Sequence, residues 1–274
     1  MTLFLSPSFQ KIWKNKDPFD EVEQLQGEVF RELEARRTLR FYLNSDSFFV
    51  KIHRGIGWFE IIENLLRFRL PVLGARNEYD AIKRLEKLHI DTMKVVSFGE
   101  KGLNPAQKKS FIITEDLIQT ISLEDFCLPW KNQAPNFDLK THLISKVADI
   151  SRTLHQNGIN HRDYYICHFL MHVAGSNIDT HKPDPENLKL SLIDLHRAQL
   201  RQKTPQRWLV KDIASLYFSA MDIGLSRRDF YRFMKLYNNC CLRDCLSKHL
   251  NFWQRVELQG QKLWQRKQRK GDAI

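Results

Sequence analysis

Between residues 138 and 195 the chain sets down four features in a fixed order. A long run, DLKTHLISKVADISRTLHQNG (138–158), ends at Gly158, and the tripeptide His161-Arg162-Asp163 follows almost at once. Apolar HFLMHV comes next; then, after a polar excursion at 173–188, a second apolar run, LKLSLIDL, reaches Asp194. Apolar residues at helical spacing closed by a glycine predict a helix over 138–158. The two short apolar runs predict antiparallel strands flanking the excursion. Asp163 and Asp194 then stand at one end of a hairpin, where a metal-bound phosphate fits between two carboxylates.

The chain before this region reads differently. TLRFYL and SFFVKI flank the polar turn NSD, which predicts a β-hairpin. WFEIIENLLRFRL (58–70) is apolar at helical spacing and is ended by Pro71 and Gly74. NEYDAIKRLEKLHI (77–90) predicts an amphipathic helix capped by Asn77. MKVVSFGEKG and SFIITEDL predict two further strands joined by a loop, and SLEDFC (122–127) a helix with a serine cap. Beyond residue 205 the pattern is helical to a basic end. The fold class expected is α+β, two-lobed and protein-kinase-like. Residues 1–120 would form a small β-rich N-lobe, and 121–274 a larger helical C-lobe carrying the catalytic loop.

Phosphoryl transfer needs a cation on the nucleotide phosphates, metal ligands, and a carboxylate beside the attacking hydroxyl. Lys51 lies in an apolar strand, suited to the phosphates, and Glu78 opens a helix and could pair with it. Each also reads as an ordinary surface lysine and a dipole-favoured helix acid. Asp163 would take or orient the hydroxyl proton, and Asp194 would bind the metal or simply end a strand. Together, in this order and on these elements, the four make a stronger signal than any one of them.

LQGEVFRELEARRTLRF, VLGARNEYDAI, SFIITEDL, GINHRDYYICHFL and IDLHRAQL resemble the lipopolysaccharide core heptose(I) kinases of Gram-negative bacteria, from about residue 15 to about 240. The resemblance implies an ATP- and Mg2+-dependent sugar kinase with a protein-kinase-like fold. It would phosphorylate the 4-hydroxyl of the first heptose of the lipopolysaccharide inner core. It also implies work at the cytoplasmic face of the inner membrane and acyl carrier protein as a partner. Departures from the protein-kinase pattern are specific. His168 replaces the second metal-binding asparagine and would orient Asp163, touch a phosphate, or favour Mn2+. Leu195-His196 replaces the usual Phe-Gly. Gly27 alone marks the glycine-rich loop. Asp212 resembles the helix aspartate that braces the catalytic loop with Arg162.

A net charge of +11 favours an anionic partner. The stretch 58–76, with Arg67, Arg69 and Arg76 among aromatics, and QKLWQRKQRK (261–270) both suit an anionic membrane surface, or else a packed core helix and a solvated end. No apolar run reaches the ~20 residues of a membrane span, and no signal peptide is read at the start. Five cysteines without paired spacing predict reduced thiols and no zinc site. His168 and His172 have the spacing of a helical zinc pair, but on a strand they diverge. Cys167 reads as a small buried hydrophobe. The rivals are a protein or other small-molecule kinase, an inactive kinase-fold scaffold, and a nucleic-acid-binding module. The last leaves Lys51, Glu78, Asp163 and Asp194 unexplained, so no nucleic-acid partner is expected.

Overall fold

Phe48, Val50 and Ile52 alternate along one strand and are all buried, while Lys51 between them points to the opposite face. That strand belongs to a computed structural model describing residues 1–67, 71–173 and 187–271. It divides into two units. Unit 1 comprises Met1–Glu86, Thr92–Ile118 and Leu195–Arg197; unit 2 comprises Lys87–Asp91, Gln119–Asp194 and Ala198–Ile274. Phe68, Arg69 and nearly all of the polar excursion lie outside the described residues.

Unit 1 contains β1 (Thr2–Leu5), α1 (Pro7–Ile12), α2 (Pro18–Gln24), β2 (Glu28–Leu33), β3 (Arg36–Leu43), β4 (Asp46–His53), α3 (Gly57–Leu66), α4 (Arg76–Lys87), β5 (Val95–Lys101) and β6 (Lys109–Glu115). The strands form one antiparallel sheet in the order β1-β5-β6-β4-β3-β2. The expected hairpin is β3–β4. Asn44 and Ser45 both have positive φ (49° and 72°), the geometry that lets a two-residue turn follow the strand twist.

The N-terminal segment, read from sequence only for the lack of a signal peptide, is structural. Phe9 of α1, Trp13 just beyond its end and Phe19 of α2 pack edge-on against Phe48 and Phe111 of the sheet. Both helices carry proline at their first position, and Asp17 Oδ1 caps α2 by accepting from Phe19 N at 2.8 Å. α4 holds the other face. It begins one residue earlier than expected, and Asn77 does not cap it. The Asn77 amide instead donates to the His196 carbonyl at 3.0 Å. Ser110 of β6 takes over at the helix start, its Oγ accepting from Ala75 N at 2.9 Å.

His53 is buried beside Arg36 and Lys51, and burial above all pushes its pKa down to about 3. The unfolded histidine accepts a proton below about pH 6.5, which the folded one refuses, so unfolding takes up protons on acidification. Stability is therefore complete above that pH and falls, by at most about 1.4 kcal/mol per pH unit, as pH drops toward 3. His53→Gln should flatten this slope in urea unfolding followed from pH 7 to 4. An unchanged slope would assign the acid lability elsewhere.

Unit 2 contains β7 (Thr120–Ser122), α5 (Leu123–Cys127), α6 (Phe137–Gln156), β8 (Ile159–Asn160), β9 (Phe169–His172), β10 (Leu190–Leu192), β11 (Gln199–Leu200), α7 (Gln206–Ser219), α8 (Arg227–Asn238), α9 (Leu242–Cys245) and α10 (Leu250–Gly271). Ser122 caps α5 as expected, accepting from Asp125 N at 3.0 Å, and Asn136 caps α6. β9 and β10 pair antiparallel, with Phe169 opposite Leu192. The basic end is not frayed. It continues α10, where Trp264 meets Phe218 with ring centroids 6.4 Å apart and Lys267 pairs with Asp222 at 3.7 Å. α6, α7, α8 and α10 line a half-open apolar pocket of about 400 Å³, with Leu143, Ile144, Ile213, Leu216, Met234 and Trp253 among its walls. The five cysteines are free thiols. Among the described residues, no helix is long and apolar enough to cross a membrane.

Candidate active site

In unit 1 the central pair is Lys51 and Glu78. The β4–β6 register sets His53 opposite Ser110 and Lys51 opposite Ile112. Because Ser110 also holds the start of α4, the helix is fixed with Glu78 one turn from that anchor. Lys51 Nζ meets Glu78 Oε1 at 2.7 Å, and the glutamate is 2% exposed against 27% for the lysine side chain. A carboxylate so deeply buried holds the facing lysine in one direction. Glu78 Oε2 has no hydrogen-bond partner among the described residues.

Gly27 lies immediately before the start of β2 in the same sheet. Lys51 is paired with Thr38, which faces Arg31, whereas Gly27 precedes Glu28, which faces Arg40. A Cβ at position 27 would run into the Arg40 carbonyl oxygen. Close strand approach thus accounts for this glycine, and the β2–β3 turn nearest Lys51 is Glu34-Ala35.

In unit 2, Gly158 ends α6 with φ +77°, where a Cβ would collide with the Arg201 carbonyl. β8 then delivers His161-Arg162-Asp163. Asp212 of α7, fully buried, accepts from His161 N at 2.6 Å and Arg162 N at 2.9 Å. This holds Arg162 at φ +75°, a conformation that costs a non-glycine residue energy. Tyr164 anchors the next position: its ring is buried and its hydroxyl lies 2.8 Å from Ser151 Oγ. Ser219, not singled out in the sequence, accepts from Ile166 N at 2.9 Å.

His168 links the two aspartates. Its Nδ1 lies 2.7 Å from the Asp163 carbonyl, which can only accept, so Nδ1 carries the proton. Nε2 faces Asp194 Oδ2 at 3.6 Å. In the neutral ring that nitrogen presents a lone pair beside a carboxylate oxygen, a donor set that suits one divalent cation. Asp194 itself has φ +62°. His161, 1% exposed, stacks on His168 and contacts the Ile193 carbonyl through Nε2 at 2.9 Å. Burial holds the His161 pKa below the usual histidine value, so it is a neutral donor to Ile193 beneath the loop. His172 turns away to Ser191 Oγ at 2.8 Å, so the two histidines form no zinc pair. Half-buried Cys167 has its thiol pKa raised by burial, which keeps it from acting as a thiolate.

The sequence reading missed one group. Arg162, Arg201, Arg207 and Lys211 surround the Trp208 ring at the start of α7. The signal was available in RQKTPQRWLVK, a tryptophan set among cations.

Comparison with known proteins supplies the family. The sequence model described as "Lipopolysaccharide kinase (Kdo/WaaP) family" matches residues 20–237. A protein of Escherichia coli named lipopolysaccharide core heptose(I) kinase WaaP is 52% identical over 266 residues, covering 97% of this chain and 98% of that protein. One of the same name from Pseudomonas aeruginosa is 49% identical over the whole of both chains. A solved structure titled "WaaP in complex with acyl carrier protein" superposes with a TM-score of 0.83 at 44% identity, covering 96% of this chain and 100% of that one. The fold is thus the kinase-like one expected, with a small antiparallel-sheet unit and a helical unit, and the chain is a kinase belonging to the lipopolysaccharide kinase (Kdo/WaaP) family.

Proposed function

We propose that this chain transfers the γ-phosphate of ATP to the 4-hydroxyl of the first heptose of the lipopolysaccharide inner core. The observation carrying this reading is near-50% identity, over essentially the whole chain, to proteins named heptose(I) kinases. In this reading Lys51 holds the ATP phosphates and Glu78 fixes Lys51. Asp163 orients the sugar hydroxyl and receives its proton. Asp194 and His168 Nε2 would hold Mg2+, with Mn2+ as the alternative the nitrogen donor permits. The bound cation supplies neutralisation of charge on the phosphates. Gly27 is the glycine this reading sets at the phosphates, and the nearby Arg40 carbonyl also requires the missing Cβ there.

The test is transfer of labelled phosphate from ATP, with Mg2+, onto purified core lipopolysaccharide lacking heptose phosphate, with the product linkage read by NMR. Label at heptose O4 is expected. Label at another hydroxyl would correct the regiochemistry, and no transfer alongside measurable ATP binding would sink the acceptor assignment.

Two surroundings follow from the same reading. The partner is acyl carrier protein, the protein held with the solved WaaP, and the apolar cavity of unit 2 suits the acyl chain such a carrier bears. The location is the cytoplasmic face of the inner membrane, with α3 as the contact. Trp58, Phe59, Ile62, Leu65 and Leu66 are each more than half exposed on this ten-residue helix, and only Ile61 is buried. A helix so arranged lies in a bilayer interface. Burying one large apolar side chain contributes about 1.5–3 kcal/mol, so Phe59→Asp with Leu66→Asp should weaken sedimentation with anionic lipid vesicles at least tenfold. Unchanged sedimentation would move the contact away from α3.

A further inference from the structure

The connector between α8 and α10 carries three of the chain's five thiols, in the run Cys240-Cys241-Leu242-Arg243-Asp244-Cys245. α8 ends where Asn239 takes a left-handed φ of 50° and Cys240 N donates back to the Lys235 carbonyl at 3.2 Å. α9 then turns the chain, with Cys245 N donating to the Cys241 carbonyl at 3.1 Å. The two turns set the sulfurs of Cys240 and Cys245 3.4 Å apart. That is about 1.4 Å more than an S–S bond, a gap that small side-chain rotations close. Cys245 is buried, Cys240 half-buried and Cys241 exposed. Among the described residues no group of three metal-ligating side chains forms, so the pair is not completed into a metal site.

The front of the pair is charged and open. Cys240 lines a pocket of about 610 Å³ on α8, together with Arg228, Arg232, Lys235, Tyr231 and Asn239. Among the described residues, three cations and no carboxylate line it. Arg232 is held by buried Asp229 at 2.9 Å, whereas Arg228 and Lys235 are exposed. Cations around a partly exposed thiol concentrate anionic reagents beside it. The back of the pair differs. Burial first, then the hydrogen bond and charge of Cys240, push the Cys245 pKa up to about 12. Cys245 therefore keeps its proton and donates it in the S–H···S contact. Cys240 is the sulfur that meets a reagent, and Cys245 stands directly behind it.

We infer that Cys240 and Cys245 form a reversible dithiol site that reacts by thiol–disulfide exchange with an anionic low-molecular-weight disulfide admitted through the basic pocket. The Cys240 thiolate attacks one sulfur of the reagent, the reagent's S–S bond breaks, and one thiolate leaves and takes up the proton that Cys240 had released. Cys245 then gives up its proton as its sulfur bonds to that of Cys240, and the second reagent thiolate leaves and takes that proton. Two protein thiols are oxidised by two electrons, and the reagent is reduced to two thiols. Once Cys240 is in the mixed disulfide it carries no charge, which removes one of the causes that hold the proton on Cys245. The product staples the end of α8, whose Phe233 and Met234 wall the apolar pocket, to Cys245, whose neighbour Leu246 also lines it.

The test exposes the folded full chain to glutathione disulfide, which is anionic, or to cystamine, which is cationic, then blocks free thiols and digests with trypsin. Cleavage after Arg243 puts Cys240 and Cys245 on separate peptides, 236–243 and 244–248, which should emerge joined by a bond that dithiothreitol opens. The joined pair should vanish in Cys240→Ser, a near-isosteric change at a half-buried site, and persist in Cys241→Ser. With each rate normalised to the same reagent's reaction with N-acetylcysteine, glutathione disulfide should react about tenfold faster than cystamine at low salt. Arg228→Glu with Lys235→Glu should reverse that order. The oxidised wild type should melt about 5 °C higher than the reduced form, with no such gain in Cys245→Ala. Absence of joined peptides from the folded protein overturns the inference, as does their persistence in Cys240→Ser. Equal normalised rates reject the basic pocket as the entry, and a lower melting temperature on oxidation rejects the pair as a site the native fold accommodates.

Discussion

Asp163→Ala is expected to lower kcat for phosphate transfer about 10³-fold while melting temperature and ATP affinity stay at wild-type values, the range a positioned general base contributes. The backbone of this residue has a structural part of its own. Its backbone carbonyl holds His168 Nδ1 at 2.7 Å and accepts from Tyr165 N at 3.1 Å, and neither contact uses the carboxylate. The loop is fixed on its other side by Asp212 and by the buried Tyr164. Truncating the side chain leaves both backbone contacts, and with them the His168–Asp194 approach, in place. Equal turnover in variant and wild type would show that another group takes the proton. A large fall in melting temperature would show that the carboxylate is structural.

How far these features were legible in the sequence depended on how local their causes are. The β3–β4 hairpin is written in alternating apolar residues and a turn that accepts left-handed backbone. α6 is written in its periodicity, its Asn136 cap and Gly158. Asp163 and Asp194 could be placed together because the strand pair between them is short. The failures share a different cause. Asn77 looked like a cap, but the acceptor at the start of α4 is Ser110, 35 residues away in another strand. Phe9, Trp13 and Phe19 needed the sheet's far face before their burial could be seen, although Ser6-Pro7 and Asp17-Pro18 marked both helix starts. The tail at 261–270 was read by charge alone. It belongs to α10 because Phe252, Trp253 and Val256, earlier in the same helix, are buried.

Asp212 holds two backbone N–H groups of the loop that carries Asp163, and Asp212→Ala should destabilise the protein more than loss of any other carboxylate in unit 2. Two buried backbone donors, His161 N and Arg162 N, would lose a charged acceptor, and His155 Nε2, 3.4 Å away, would lose its neighbour. Leaving a buried donor unsatisfied costs about 1–3 kcal/mol, more when the lost acceptor was charged. The sum is roughly 3–6 kcal/mol, a large part of a total stability of about 5–15 kcal/mol. At about 2–4 °C per kcal/mol for a chain near this size, the melting temperature should fall by roughly 10 °C or more. Asp212→Asn is the sharper probe. The carboxamide fills the same space and its oxygen can serve one of the two N–H groups, but its NH2 faces the other, so about half of the loss should remain. Activity should fall further than the folded fraction does. Arg162 keeps its left-handed φ only while both N–H groups are held, and its relaxation would shift Asp163, where an error near 1 Å costs about 10²-fold in rate. A melting temperature for Asp212→Asn within 2 °C of wild type, with full turnover, would mean that β8, Tyr164 and Ser219 suffice to hold the loop without the carboxylate.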